Sequence, residues 1–148
     1  MDELNLETLL DQARIQAVLI RYATALDGHE WEGLHQVFVP EAVAYYAGVG
    51  DFHGRDAIVA VVRDFLEGCG STQHLLGNVR IQVSGDQAQA QCYLQAIHAG
   101  VGSFVGQTMT VWGEYSDRLE RRAEGWRIVE RRLQVQHVSG DVGVRLKA

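Results

Sequence analysis

Proline is almost missing from this chain, and cysteine and methionine are scarce: 148 residues hold one proline, two cysteines and two methionines. Two thiols far apart, Cys69 and Cys92, in contexts that read as a helix end and a strand, make reduced cysteines in a cytoplasmic setting the expectation, with a structural disulfide as the alternative. Basic charge is short as well. Thirteen Lys and Arg against nineteen Asp and Glu leave a net charge of -6 and an isoelectric point near 5.4. That balance argues against nucleic-acid partners held through phosphates and against anionic membranes. No stretch approaches the ~20 apolar residues of a membrane span, and the opening MDELNLETLL is acidic where a signal peptide would be basic and then apolar. Repeats and low-complexity tracts are lacking too. What is present is 47% hydrophobic residues, enough for one core, and residues 1–148 are expected to form a single unit.

Two hydrophobic periods divide the chain. Leu6, Leu9, Leu10, Ala13, Ala17, Ile20 and Leu26 recur at steps of three and four, which predicts a long amphipathic helix packed through that stripe and ended by Asp27-Gly28. Trp31, Leu34 and Phe38 predict a short second helix closed by Pro40. Val43–Tyr46 reads as a short strand and GVGDFHG as a loop, and Ile58, Val61, Val62, Phe65 and Leu66 give a third helix over 55–67. From Ser71 onward alternation with a period of two takes over, predicting strands over 71–83, 87–99, 107–121 and 126–138 with glycine-bearing turns between them. Helices followed by antiparallel strands imply an α+β domain, a curved sheet wrapped by N-terminal helices around a pocket.

Polar residues in apolar phases then mark candidate chemistry. In Gln87 to Ala99 the inward parity reads Ala88, Ala90, Cys92, Leu94, Ala96, His98, so His98 is expected on an inner wall whose small neighbours leave space. In STQHLLGNVRIQV the buried parity is expected to be Leu75, Gly77, Val79, Ile81 and Val83; His74 is in phase with Leu76 and Asn78 and reaches the cavity if the hairpin register brings it there. Asp27 ends the first helix, five residues after Tyr22. A carboxylate and an imidazole meeting in such a cone would form a general-base pair.

The order of ARIQAVLIRYATALDGHEWEGL, FHGRDAI, TQHLLGN and YSDRLERRAEGWRIVERR resembles the SnoaL-like and scytalone dehydratase-like group of the nuclear transport factor two-like superfamily. The resemblance runs through nearly the whole chain and implies the cone-like α+β fold. It also implies, from the family's dehydratases and dehydrochlorinase, a catalytic pair at Asp27 and His74, with Tyr22, Tyr46 and His98 at substrate-binding positions. Leu26 departs from the tyrosine that stands beside the aspartate in one dehydratase. The implied activity is a lyase of the dehydratase type, acting without metal or organic cofactor on a small hydrophobic cyclic or aromatic ketone. Isomerase, cyclase and dehydrohalogenase reactions begin with the same proton abstraction, and a carrier or assembly subunit of the same fold is the non-catalytic alternative. A homo-oligomer, dimer or trimer, is expected by the same analogy.

Each assignment has a plainer counterpart. His74 and His98 are structural histidines in that reading, Tyr22 and Tyr46 packing residues, and Asp27 a helix cap. His29, His35, His53 and His137 read as surface or strand-end residues. Arg118, Arg121, Arg122, Arg131 and Arg132 read as a solvated face or subunit contact, and Trp31, Trp112 and Trp126 as core.

Overall fold

The computed structural model describes residues 4–144. It is an α+β cone. The elements are α1 (Leu6–Asp27), a 3-10 helix (Trp31–Gln36), β1 (Phe38–Tyr46), β2 (Gly50–His53), α2 (Arg55–Leu66), β3 (Thr72–Ser84), β4 (Gln87–Ala99), a short 3-10 turn (Gly102–Phe104), β5 (Thr108–Arg122) and β6 (Gly125–Gly140). One six-stranded sheet runs in the order β2-β1-β6-β5-β4-β3 and does not close on itself. Its long strands pair antiparallel, whereas β1 joins β6 in parallel.

Curvature comes from bulges, each of which bends its strand and raises the local twist. In β6 the register slips at two places: Leu119 faces Ile128 while Arg118 faces Glu130, and Gly113 faces Val135 while Trp112 faces His137. Gly113 accommodates the second slip, because a Cβ there would lie 2.6 Å from the carbonyl oxygen of Gln134. The apolar core, including Ile15, Leu19, Phe38, Leu119 and Ile128, lies between the concave face and the helices.

Several expectations need correction. Pro40 does not end a helix; it sits exposed inside β1, which begins at Phe38, and GVGDFHG contains β2. Trp112 projects from the convex side, 46% exposed, against the ring of His137. The largest correction concerns α1. Its buried residues are Asp11, Ile15, Val18, Leu19, Tyr22, Ala23, Ala25 and Leu26, whereas Leu6, Leu9, Leu10, Ala13, Ala17 and Ile20 face outward. The reason is polar anchoring. Asp11 is 3% exposed, accepts two hydrogen bonds from Arg121 (3.0 and 2.8 Å) and a third from the Trp126 indole (3.2 Å), and so fixes which side of the helix meets the sheet.

Candidate functional site

A cavity of about 460 Å³ opens inside the cone, and Tyr22, Tyr46, His74, His98, Tyr115 and Asp141 are the polar side chains in its lining. Most of the remaining wall is aliphatic, from Leu66, Leu94, Val111 and Val135 among others.

His74 arrives there through a break in β3. An uninterrupted count puts it in phase with Asn78, which is exposed. Between Gly77 and Arg80 the register slips, and Asn78 takes a left-handed φ of 49°. One extra residue reverses the side-chain phase. Thr72, His74 and Leu76 therefore face inward ahead of the bulge, with Val79, Ile81 and Val83 inward after it. The expected buried parity is thus wrong for Leu75, which is 60% exposed. His74 pairs across the ladder with Ala96, whose small side chain leaves its ring room, and His98 pairs with Thr72. The two imidazoles become diagonal neighbours with centroids 5.9 Å apart.

Asp27 meets His74 directly. Its Oδ1 lies 2.7 Å from Nδ1 of His74 and accepts from the Thr72 hydroxyl at 2.9 Å, while Oδ2 accepts from the His74 backbone N–H at 2.8 Å. Helix α1 ends at this residue: the Gly28 N–H caps backward onto Thr24 and Leu26, and His29 turns through a φ of 54°. The carboxylate does not cap the following 3-10 helix, whose N-cap is Glu30. Burial pushes the Asp27 pKa up, but the bonds from the His74 ring, the His74 N–H and Thr72 outweigh it and leave it below the ordinary value. An ionised carboxylate can only accept, so Nδ1 of His74 carries a proton, and in the neutral ring the lone pair is on Nε2. The His74 side chain is 7% exposed.

His98, 3% exposed, is held in the same tautomer. Its Nδ1 donates to the carbonyl of Met109 at 3.0 Å, which leaves Nε2 as an acceptor. Burial lowers its pKa, with the Met109 carbonyl opposing in part, so the ring is neutral at neutral pH.

Across the cavity the hydroxyls of Tyr22 and Tyr46 lie 3.1 Å apart. One donates to the other, so the accepting hydroxyl keeps its own hydrogen for a ligand. Burial pushes the Tyr46 phenol well above its ordinary range and keeps it a neutral donor. Tyr45 points to the other side, under the guanidinium of Arg132.

Arg131 contradicts its expected place on a solvated face. It is wholly buried, pairs bidentately with Asp117 at 2.7 and 2.8 Å, and lies between the rings of Tyr22 (4.2 Å) and Tyr115 (3.8 Å). Its Nη1 has no hydrogen-bond partner. A signal was available in β5: Asp117 shares the inward parity of Tyr115 and Leu119, and a carboxylate in that phase requires a buried cation. Asp117 and Arg131 are directly opposite in the ladder. Among the described residues, no three of His, Cys, Asp and Glu converge as a metal site would require.

A family model described as a SnoaL-like domain matches residues 7–132. The uncharacterized protein Rv2910c of Mycobacterium tuberculosis is 31% identical over 134 residues, covering 86% of this chain and 87% of its own. Among solved structures, hexachlorocyclohexane dehydrochlorinase LinA-type3 from Novosphingobium barchaimii LL02 superposes with a TM-score of 0.81 at 18% identity, covering 97% of this chain and 98% of its own. A protein provisionally named a scytalone dehydratase, from Novosphingobium aromaticivorans DSM 12444, gives a TM-score of 0.83 at 24% identity, covering 95% of this chain and 93% of its own. At these identities the two structures speak for a shared fold.

Proposed function

The chain belongs to the SnoaL-like domain family, and from that premise we propose that it is a lyase of the dehydratase type, working on a small hydrophobic ketone by acid–base chemistry. The observation that carries this reading is the 2.7 Å contact between Asp27 and Nδ1 of His74 at the wall of a largely apolar cavity. A base that removes a proton beside a carbonyl needs a free lone pair and a fixed orientation. Asp27 supplies the orientation and the tautomer, and Nε2 of His74 takes the proton.

As the C–H bond breaks, its electron pair moves toward the carbonyl oxygen. The free hydroxyl hydrogen of the Tyr22–Tyr46 pair meets that charge, and the Arg131 guanidinium against the Tyr22 ring favours it electrostatically. When the enolate collapses, the β-carbon–oxygen bond breaks, the carbon–carbon double bond forms, and the proton on His74 leaves with the hydroxide as water. Asp27 stays ionised throughout. In this reading the neutral His98 Nε2 accepts a hydrogen bond from a substrate hydroxyl.

The test is a panel of cyclic and aromatic β-hydroxyketones assayed with the wild type, His74→Ala and Asp27→Asn. Both variants should lose about 10²- to 10⁴-fold in kcat. Asp27→Asn should also change the nitrogen chemical shifts of His74, since an amide no longer enforces an Nδ1–H tautomer. Undiminished turnover in His74→Ala refutes the mechanism. Ligand binding with no turnover in the wild type would instead support a carrier.

A further inference from the structure

The face of α1 that turns away from the sheet carries a second apolar stripe. Leu6, Leu10, Ala13, Ala17, Ile20 and Thr24 follow one another at alternating steps of four and three, and all are exposed; Leu6 is 74%, Leu10 45% and Ile20 49% exposed. This spacing keeps the residues on one seam for about 27 Å of helix, at 1.5 Å per residue. Such spacing is that of a coiled-coil seam. The sheet does not use it, because Asp11 and Tyr22 commit the opposite side inward.

The stripe is symmetric along its length. Ile15 marks the centre, with Ala13 and Ala17, Leu10 and Ile20, and Leu6 and Thr24 at equal distances on either side. A two-fold axis through that centre would set Ala13 against the partner's Ala17, Leu10 against the partner's Ile20, and Leu6 against the partner's Thr24. Small residues would meet in the middle, where helices approach most closely, with bulkier leucine and isoleucine beyond them. A self-complementary patch of this kind is what an isologous contact requires.

Charge selects the direction. One flank of the stripe holds Glu7, Arg14 and Arg21, spaced by seven and exposed. In an antiparallel pair like flanks face each other, which brings Glu7 opposite the partner's Arg21 twice over. Neither residue makes an intramolecular ion pair among the described residues, so both are free for that role. Arg14 falls near the axis, where two cations would approach, but each is already bound by its own Asp11 at 3.2 Å. A parallel arrangement would set this flank against Leu9, Gln16 and Ala23, with no charge to meet.

We propose that two copies of this chain associate through α1, packed antiparallel about Ile15. One helix-wide seam lies at the small end of specific interfaces, so the association depends on concentration. Sedimentation velocity on the intact protein, over a concentration series up to ~100 µM, tests it with Ala17→Glu, Glu7→Arg, Arg21→Glu and the Glu7→Arg/Arg21→Glu double variant. Trp112→Glu probes the convex sheet face for comparison. Melting curves check that each variant folds, which outward positions should permit.

Ala17→Glu should halve the mass of the largest assembly. Each charge reversal should weaken association by about tenfold, since two symmetry-related pairs turn repulsive, and the double reversal should restore it to within about threefold of wild type. A wild type that is monomeric throughout overturns the proposal. So does a mass insensitive to Ala17→Glu but lost in Trp112→Glu, and so does a double reversal no better than its single parents.

Discussion

Asp117→Ala isolates the buried guanidinium. The wild-type Arg131 is fully enclosed, gives two hydrogen bonds to Asp117, touches two tyrosine faces, and already leaves Nη1 unpartnered. Removing the carboxylate keeps the aromatic contacts, worth ~1–2 kcal/mol each when desolvated, but strands a cation that cannot shed its proton. Breaking a buried pair this way costs about 3–5 kcal/mol. For a chain of 148 residues, that corresponds to a melting temperature lower by roughly 10–15 °C. The reverse single change, Arg131→Met, should cost less, because a buried Asp117 carboxyl escapes its charge by taking up a proton. Asp117→Leu with Arg131→Met should fall within about 1 kcal/mol of wild type or exceed it, since both desolvated charges vanish together. Urea unfolding of the three variants beside the wild type measures these differences. If Asp117→Ala lost under ~1 kcal/mol, or the double were as damaged as the single, the guanidinium would have to be hydrated and this account of the core would fail.

Two further expectations concern the fold around the site. Asp11 has its pKa lowered to about 2, first by the Arg121 hydrogen bonds and with burial opposing, from an ordinary 3.8. A folded-state pKa below the unfolded one stabilises above the unfolded value and is lost as pH falls through the folded one. Asp11→Asn should therefore cost about 1–2 kcal/mol near neutrality, and the urea midpoints of variant and wild type should converge as pH drops from 4 toward 2. At the β3 bulge, Asn78→Gly should be close to neutral, whereas Asn78→Val, forced to a φ of 49°, should cost about 1–2 kcal/mol in thermal melts. Deleting Asn78 should return Leu75 to the inner face and expel the His74 ring, abolishing the Asp27-dependent shift of its nitrogens in NMR spectra.

The strand pattern carried most of the architecture. Gln87 to Ala99 alternates without interruption, and its observed bounds and its inward His98 agree with expectation because nothing breaks that ladder. Elsewhere the alternation is interrupted by single residues whose backbone conformation composition does not announce. Asn78 reverses the phase of β3, which brings His74 inside although it is out of phase with Val79, Ile81 and Val83; Val129 reverses that of β6, which brings Arg131 inside with Leu133 and Val135 although it is out of phase with Trp126 and Ile128. Helix α1 misled for a different reason. It bears two apolar stripes, and the one with the more regular leucine spacing is outside, because Asp11 finds its partners only when the distant Arg121 and Trp126 are brought to one corner by the β5–β6 turn, where Asp86 of the β3–β4 turn also holds Arg121. The family resemblance pointed to Asp27, His74, Tyr22, Tyr46 and His98, the last four of which line the cavity; the Asp117–Arg131 pair called for reading one misplaced aspartate as a demand for a cation.

The parallel seam between β1 and β6 ties the beginning of the sheet to its end. During synthesis every hairpin from β3 through β5 can zip locally, but β1 emerges with its long edge bare and stays so until some eighty residues later its neighbour leaves the ribosome. Loop closure over that span is the slow event that a mostly local topology otherwise avoids. Through that interval β1, with Phe38, Ala42 and Ala44, has only the short β2 beside it, and nascent chains halted before β6 should be the ones that chaperones hold.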